Sequence, residues 1–112
     1  MITIQEIRDY CLSLPETVEL DHWGKPSFRI RNKIIAVFQP DGITLTIKAS
    51  PEDKAIYSDI DPNVYRIPES FANMNYLNVH LPFADRTEVQ GLIRKAWSSI
   101  APKKLVKAYL ER

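Results

Sequence analysis

Glycine is scarce in this chain, with three in 112 residues. No Gly-x-Gly or Gly-x-Ser-x-Gly pattern can be drawn through them, so the sequence offers no phosphate-cradling loop and no nucleophile elbow. A single cysteine, Cys11, excludes an internal disulfide and fits a reducing, cytoplasmic setting. The two histidines, His22 and His80, lie far apart, and with Cys11 they make no cluster of metal-ligand spacing. No metal and no cofactor are therefore expected. No apolar run approaches the roughly 20 residues of a membrane helix, and Met-Ile-Thr-Ile-Gln-Glu lacks the basic and apolar regions of an export signal. The expectation is a protein without a membrane role. Charge of one sign is also lacking: 15 basic and 14 acidic residues give a formal net charge of +1, which by itself calls for no polyanionic partner.

What is present is uneven. Residues 1–20 carry Arg8 against four acids, and residues 49–62 carry Lys54 against four more. Residues 21–48 carry five basic groups against two acids, and residues 94–112 carry six against Glu111. Positive charge is thus gathered in the middle and the tail. Such clustering steers anions where the total charge does not.

The periodicities predict an α+β fold. Thr3-Ile4-Gln5-Glu6 reads as a capping box opening a helix that Pro15 ends, with Ile4, Ile7, Cys11 and Leu14 on one face. A short extended segment is expected from Thr17 to Asp21, and Trp23-Gly24-Lys25-Pro26 reads as a tight turn with Trp23 packed over the core edge. Alternation predicts three strands at about 27–31, 34–39 and 43–48, joined by turns at Arg31-Asn32-Lys33 and Pro40-Asp41-Gly42. Ser50-Pro51-Glu52-Asp53 opens a second helix. A short strand at 64–67, a loop from Pro68 to Asn75 and a strand at 76–81 follow. Val89, Leu92, Ile93, Ala96, Trp97 and Ile100 form the cleanest helical stripe, which makes Trp97 core, and Leu105, Val106, Tyr109 and Leu110 line a last helix. Together these predict one domain over 1–112. It holds an antiparallel sheet of about five strands, with the helices packed on one face and the other face open.

The order of short motifs adds a resemblance. Leu14-Pro15-Glu16, Trp23-Gly24-Lys25-Pro26, Phe28-Arg29-Ile30, Asn73-Met74-Asn75-Tyr76-Leu77-Asn78-Val79, Ile93-Arg94-Lys95-Ala96-Trp97 and Ala101-Pro102-Lys103-Lys104-Leu105 resemble the MmcQ/YjbR family over nearly the whole chain. The resemblance implies a CyaY-like, double-wing fold, a small bacterial cytosolic protein, and a DNA-binding label that rests on that fold. It carries no catalytic motif. Iron handling of the frataxin kind needs clustered carboxylates, and the first helix has only Glu6 and Asp9.

The open face, if the strands register as they alternate, carries Arg29, Arg31, Thr44, Thr46, Lys48, Tyr76, Asn78 and His80. Arg29, Arg31, Lys33 and Lys48 can neutralise phosphates, while Tyr76 and His80 can stack on bases. These six are the candidate nucleic-acid contacts, and a merely solvated sheet face is the bland alternative. Ser27, Ser70 and Cys11 have no positioned base, so no enzyme is expected. The expected partner is nucleic acid, with a protein-interaction or small-anion-binding module as the alternative, and the expected state is a monomer or a weak homodimer.

Overall fold

The computed structural model describes residues 2–71 and 73–111, so that Met1, Ala72 and Arg112 lie outside the described residues; Ala72 falls in the segment expected to be a loop. Thr3 opens α1 (Ile4–Ser13) with the reciprocal cap its sequence announces. Glu6 N donates to Thr3 Oγ1 at 3.0 Å, and Thr3 N donates to Glu6 Oε1 at 3.2 Å. Six strands follow in a mixed order of elements: β1 (Thr17–His22), β2 (Lys25–Ile30), β3 (Lys33–Phe38) and β4 (Thr44–Lys48), then α2 (Pro51–Ile60), β5 (Tyr65–Arg66), β6 (Tyr76–His80), α3 (Arg86–Ile100) and α4 (Lys103–Leu110). Every pair is antiparallel, and the sheet order is β1-β2-β3-β4-β6-β5.

The strand count exceeds the expected five because the segment at 17–21 is a full edge strand, paired with β2 from Thr17–Ile30 to His22–Lys25. Both hairpins at this side close through two residues at positive φ: Trp23 (54°) with Gly24 (82°), and Arg31 (51°) with Asn32 (65°). That is the type I′ geometry, whose twist matches the flanking strands. Gly24 and Asn32 suit it, whereas a bulky side chain at positive φ is an outlier.

The helices pack on one face. Phe28, Ile30, Leu45, Ile47, Leu77 and Val79 of the sheet are fully buried against Ile7 and Cys11 of α1 and Val89, Ile93 and Trp97 of α3. Each such side chain contributes roughly 1.5–3 kcal/mol of transfer free energy. Trp97, expected in the core, is 0% exposed; its Nε1 donates to Pro15 O at 2.9 Å and its ring tilts against Tyr109. The other expected packing of a tryptophan fails. Trp23 is 90% exposed, because the I′ turn carries it beyond the edge of the sheet where no helix reaches.

One irregularity shapes the open face. The β2–β3 register shifts between Phe28 and Arg29, which pair with Ala36 and Ile34 respectively, leaving Ile35 as an extra residue on β3. A bulge of this kind breaks the period of two. Ile35 and Ala36 are both buried with the core, while Ile34 and Val37 both lie on the open side, opposite Arg29 and Ser27.

Candidate functional site

The open face is ordered as rows across the strands. One row runs through Leu20, Ser27, Val37, Thr46, Asn78 and Arg66, one residue from each strand. The middle of that row is buried although no helix covers it: Ser27 is 0%, Val37 5% and Thr46 7% exposed. The side chains of neighbouring rows lean over it and leave a groove of about 220 Å³. His22, Lys25 and Gln39 line one end, Val37 and Thr46 the floor, and Ile34, Met74 and Tyr76 the other end.

Each end has its own character. At the polar end a directional chain of hydrogen bonds fixes the side chains. Lys25 Nζ donates to Gln39 Oε1 (3.4 Å), Gln39 Nε2 to Thr46 Oγ1 (2.8 Å), and Thr46 Oγ1 to Asn78 Oδ1 (2.6 Å). Beside it, Arg29 is clamped along the face. Its Nε donates to Ser27 Oγ (3.1 Å), its Nη1 to Asn32 Oδ1 (3.3 Å), and its Nη2 contacts His22 Nδ1 (3.1 Å). Ser27 Oγ in turn donates to Leu20 O at 2.7 Å. At the other end Ile34 and Met74 present an apolar wall against the Tyr76 ring. Among the described residues no carboxylate lines the groove.

The sequence-predicted residues are only partly brought together. Lys48 and Tyr76 oppose each other directly across β4 and β6, and Arg29 lies on the same face, as the alternation requires. Tyr76 alone of the six lines the groove; Lys48 borders a second depression of about 210 Å³ with the start of α2 and Lys95. His80 stands on the open face but at the far end of β6 from Tyr76, roughly 13 Å along the strand, against Thr44 and the Phe83 ring. Its surroundings are acidic: Asp41 and Glu69 line a depression there with Thr44 and Asn78. Asp41 is held below the usual carboxylate range, chiefly by the Thr44 hydroxyl at 2.6 Å.

Two of the six candidates do not stand on the open face. Arg31 was expected at the end of a strand on the open side. It sits in the I′ turn instead, and its Nε pairs with Glu16 Oε1 at 3.1 Å. Lys33 opposes the buried Ile30, so the register places it on the helix-covered side, exposed at the hairpin tip. Sequence reasoning missed His22, Lys25, Ile34, Val37, Gln39 and Met74. Lys25 could have been found by extending the alternation of Arg29 and Ser27 back two residues. The pairing of Ile34 with Val37 could not, because only the bulge puts both on one side.

Elsewhere, Cys11 is buried and its thiol is pushed up to about 12 by that burial, which keeps it protonated and a weak nucleophile at neutral pH. Among the described residues no group of three or more His, Cys, Asp or Glu side chains is placed to hold a metal ion, and no helix is long and apolar enough to cross a membrane.

Comparison with known proteins agrees with the architecture. The YjbR family model matches residues 12–99. No curated protein matches the chain. Among solved structures, the Deinococcus radiodurans protein DR2400, which carries a family-model domain named DUF419, is similar with a TM-score of 0.80 at 19% identity, over 96% of this chain and 85% of that one. At that identity the likeness speaks to the fold.

Proposed function

Taking as premise that the chain belongs to the YjbR family, we propose that it is a non-catalytic binding protein whose open-face groove takes a nucleotide unit of single-stranded nucleic acid. The observation that carries this is the groove's polarity. Ile34, Met74 and Tyr76 form a wall suited to a flat ring at one end, and Lys25 with His22 stands at the other, with no carboxylate among the described residues that line the space between them. Tyrosine stacks on any base, and lysine neutralises phosphate as a point charge. A DNA duplex gripped by the whole face fits less well, since Arg29 and Arg31 are committed to protein partners and Asp41 and Glu69 border the neighbouring depression.

The test is a titration of fluorescein-labelled oligothymidylate at several salt concentrations. Lys25 and Lys48 are the lysines in reach, and Lys48 makes no hydrogen bond or ion pair among the described residues. Single strands show a log–log salt slope of about −0.7 per phosphate neutralised. The expected slope is therefore shallow, about −1.4, and Lys25→Ala should halve it. Tyr76→Ala should weaken binding about 5- to 150-fold, the range for one lost stacking contact. Wild-type protein that binds no oligothymidylate at low salt would refute the reading.

A second reading has its own support. Val18 and Leu20 are 48% and 44% exposed on edge strand β1, whose outer backbone is open to strand addition. A protein partner captured there would bind independently of Lys25 and Tyr76.

A further inference from the structure

Trp23 is the most exposed large apolar residue among the described residues, at 90%, and it holds φ at 54°. Neither property serves the fold. The I′ turn it occupies is satisfied by asparagine or glycine at that position, and a β-carbon there meets crowding that those residues tolerate or avoid. The other I′ turn of the same sheet places Asn32 in one of its two central positions. The other tryptophan, Trp97, is wholly buried and hydrogen-bonded. A solitary exposed apolar residue needs no explanation; an indole held in solvent at a strained backbone position does.

Its location supplies one. Trp23 stands between His22 and Lys25 in the chain, and both line the polar end of the groove. The Asp21 side chain accepts from Gly24 N at 3.2 Å and holds the turn in place. Along the strands the register therefore gives, in order, Tyr76 at one end of the groove, Lys25 at the other, and beyond Lys25 the turn that carries the exposed Trp23 ring. Successive nucleotides present base, phosphate and base.

We propose that Trp23 is a second stacking plate of the same site, so that its ligand is a single strand of at least two nucleotides rather than a mononucleotide. This rests on the groove reading above and adds the requirement for a second base. Indole is the aromatic side chain with the widest flat surface, and base stacking on such plates tolerates any sequence. The turn keeps the ring out of the core and in solvent, where a strand can reach it.

The experiment compares thymidine monophosphate, the dinucleotide pTpT and an oligothymidylate octamer on wild-type protein and on Trp23→Asn and Trp23→Phe. Asparagine suits the turn, so the first variant should fold. Wild type is expected to bind the dinucleotide and octamer at least 10-fold more tightly than the mononucleotide. Trp23→Asn should weaken the two longer ligands about 10-fold and leave the mononucleotide within twofold; Trp23→Phe should restore part of the loss. The octamer should also quench the solvent-exposed, red-shifted part of the tryptophan emission, and that quenching should vanish in Trp23→Phe. If wild type binds all three ligands and Trp23→Asn binds the octamer as wild type does, the inference is overturned while the groove stands. If wild type binds none of them, both fall.

Discussion

Thr46 and Asn78 face each other across β4 and β6, and the Thr46 hydroxyl gives its single proton to Asn78 Oδ1 at 2.6 Å. Having spent its proton, the hydroxyl can only accept from its other neighbour, and Gln39 Nε2 donates to it at 2.8 Å. That turns Gln39 Oε1 toward Lys25. The position of the groove's cation is thus set three residues away, by a chain in which each donor has one direction open to it.

Thr46→Val keeps the shape of the side chain and removes the link. Gln39 and Asn78 are half-buried, so water can replace part of what they lose. The expected loss is about 1 kcal/mol, near the mean for one intramolecular hydrogen bond, measured by urea denaturation. A variant as stable as wild type would show that the chain orients Lys25 without holding the sheet.

Trp97→Ala should cost about 3–5 kcal/mol, the range for removing a large buried aromatic. Trp97→Phe keeps most of the packing but orphans Pro15 O, which now accepts from Nε1 at 2.9 Å. It should cost about 1–3 kcal/mol. Equilibrium denaturation of both variants separates the packing from the hydrogen bond, and equal losses would mean that the ring's volume counts for little.

Much of the fold was legible because its elements obey a single period. Ile43, Leu45 and Ile47 against Thr44, Thr46 and Lys48, and the stripe from Val89 to Ile100, fix faces by spacing alone, and the register of β4 with β6 follows them pair by pair. The β1 edge was less visible because Val18 and Leu20 point to the open side while Thr17 alone is buried, so no hydrophobic face marks it as a strand. The groove was hidden for a different reason. Its floor depends on the bulge at Ile35, which brings Ile34 and Val37 to one side, and on Met74 arriving from the β5–β6 connection. Neither is a periodic feature. Arg31 and Trp23 went astray together, since both occupy I′ turns whose positive φ no local propensity of arginine or tryptophan announces.

Trp23→Asn should stabilise the protein even as it weakens the site. Left-handed backbone costs a residue with a β-carbon about 1–2 kcal/mol, and asparagine tolerates it best after glycine. Relief of about 1 kcal/mol corresponds to a rise in Tm of about 4 °C or more for a chain of this size, read by thermal denaturation with circular dichroism. Stability gained at the cost of binding is the pattern of a residue kept for function. An unchanged or lowered Tm would show that the turn bears no strain at Trp23.

Acid sensitivity should be traceable to one contact between the first and third helices. Arg86 Nε donates to Glu6 Oε2 at 2.5 Å, and this bond, more than the cap to Thr3, holds the Glu6 carboxyl below its ordinary value of 4.5. A carboxylate whose value is lowered in the fold favours folding when ionised. Its contribution is therefore present above about pH 4.5 and disappears as pH falls through the lowered folded value. Arg86→Ala removes the largest cause of the shift. At pH 7 it should be less stable than wild type, and the gap should narrow as pH falls below 4.5 through the lowered Glu6 value, because a protonated Glu6 no longer pairs with Arg86. Urea denaturation at pH 7, 5, 4 and 3 reads the gap directly. Asp41, also lowered, titrates alike in both proteins and cancels from the difference. A gap that stays constant across the series would mean that Arg86 acts through packing of its stem and not through its charge on Glu6.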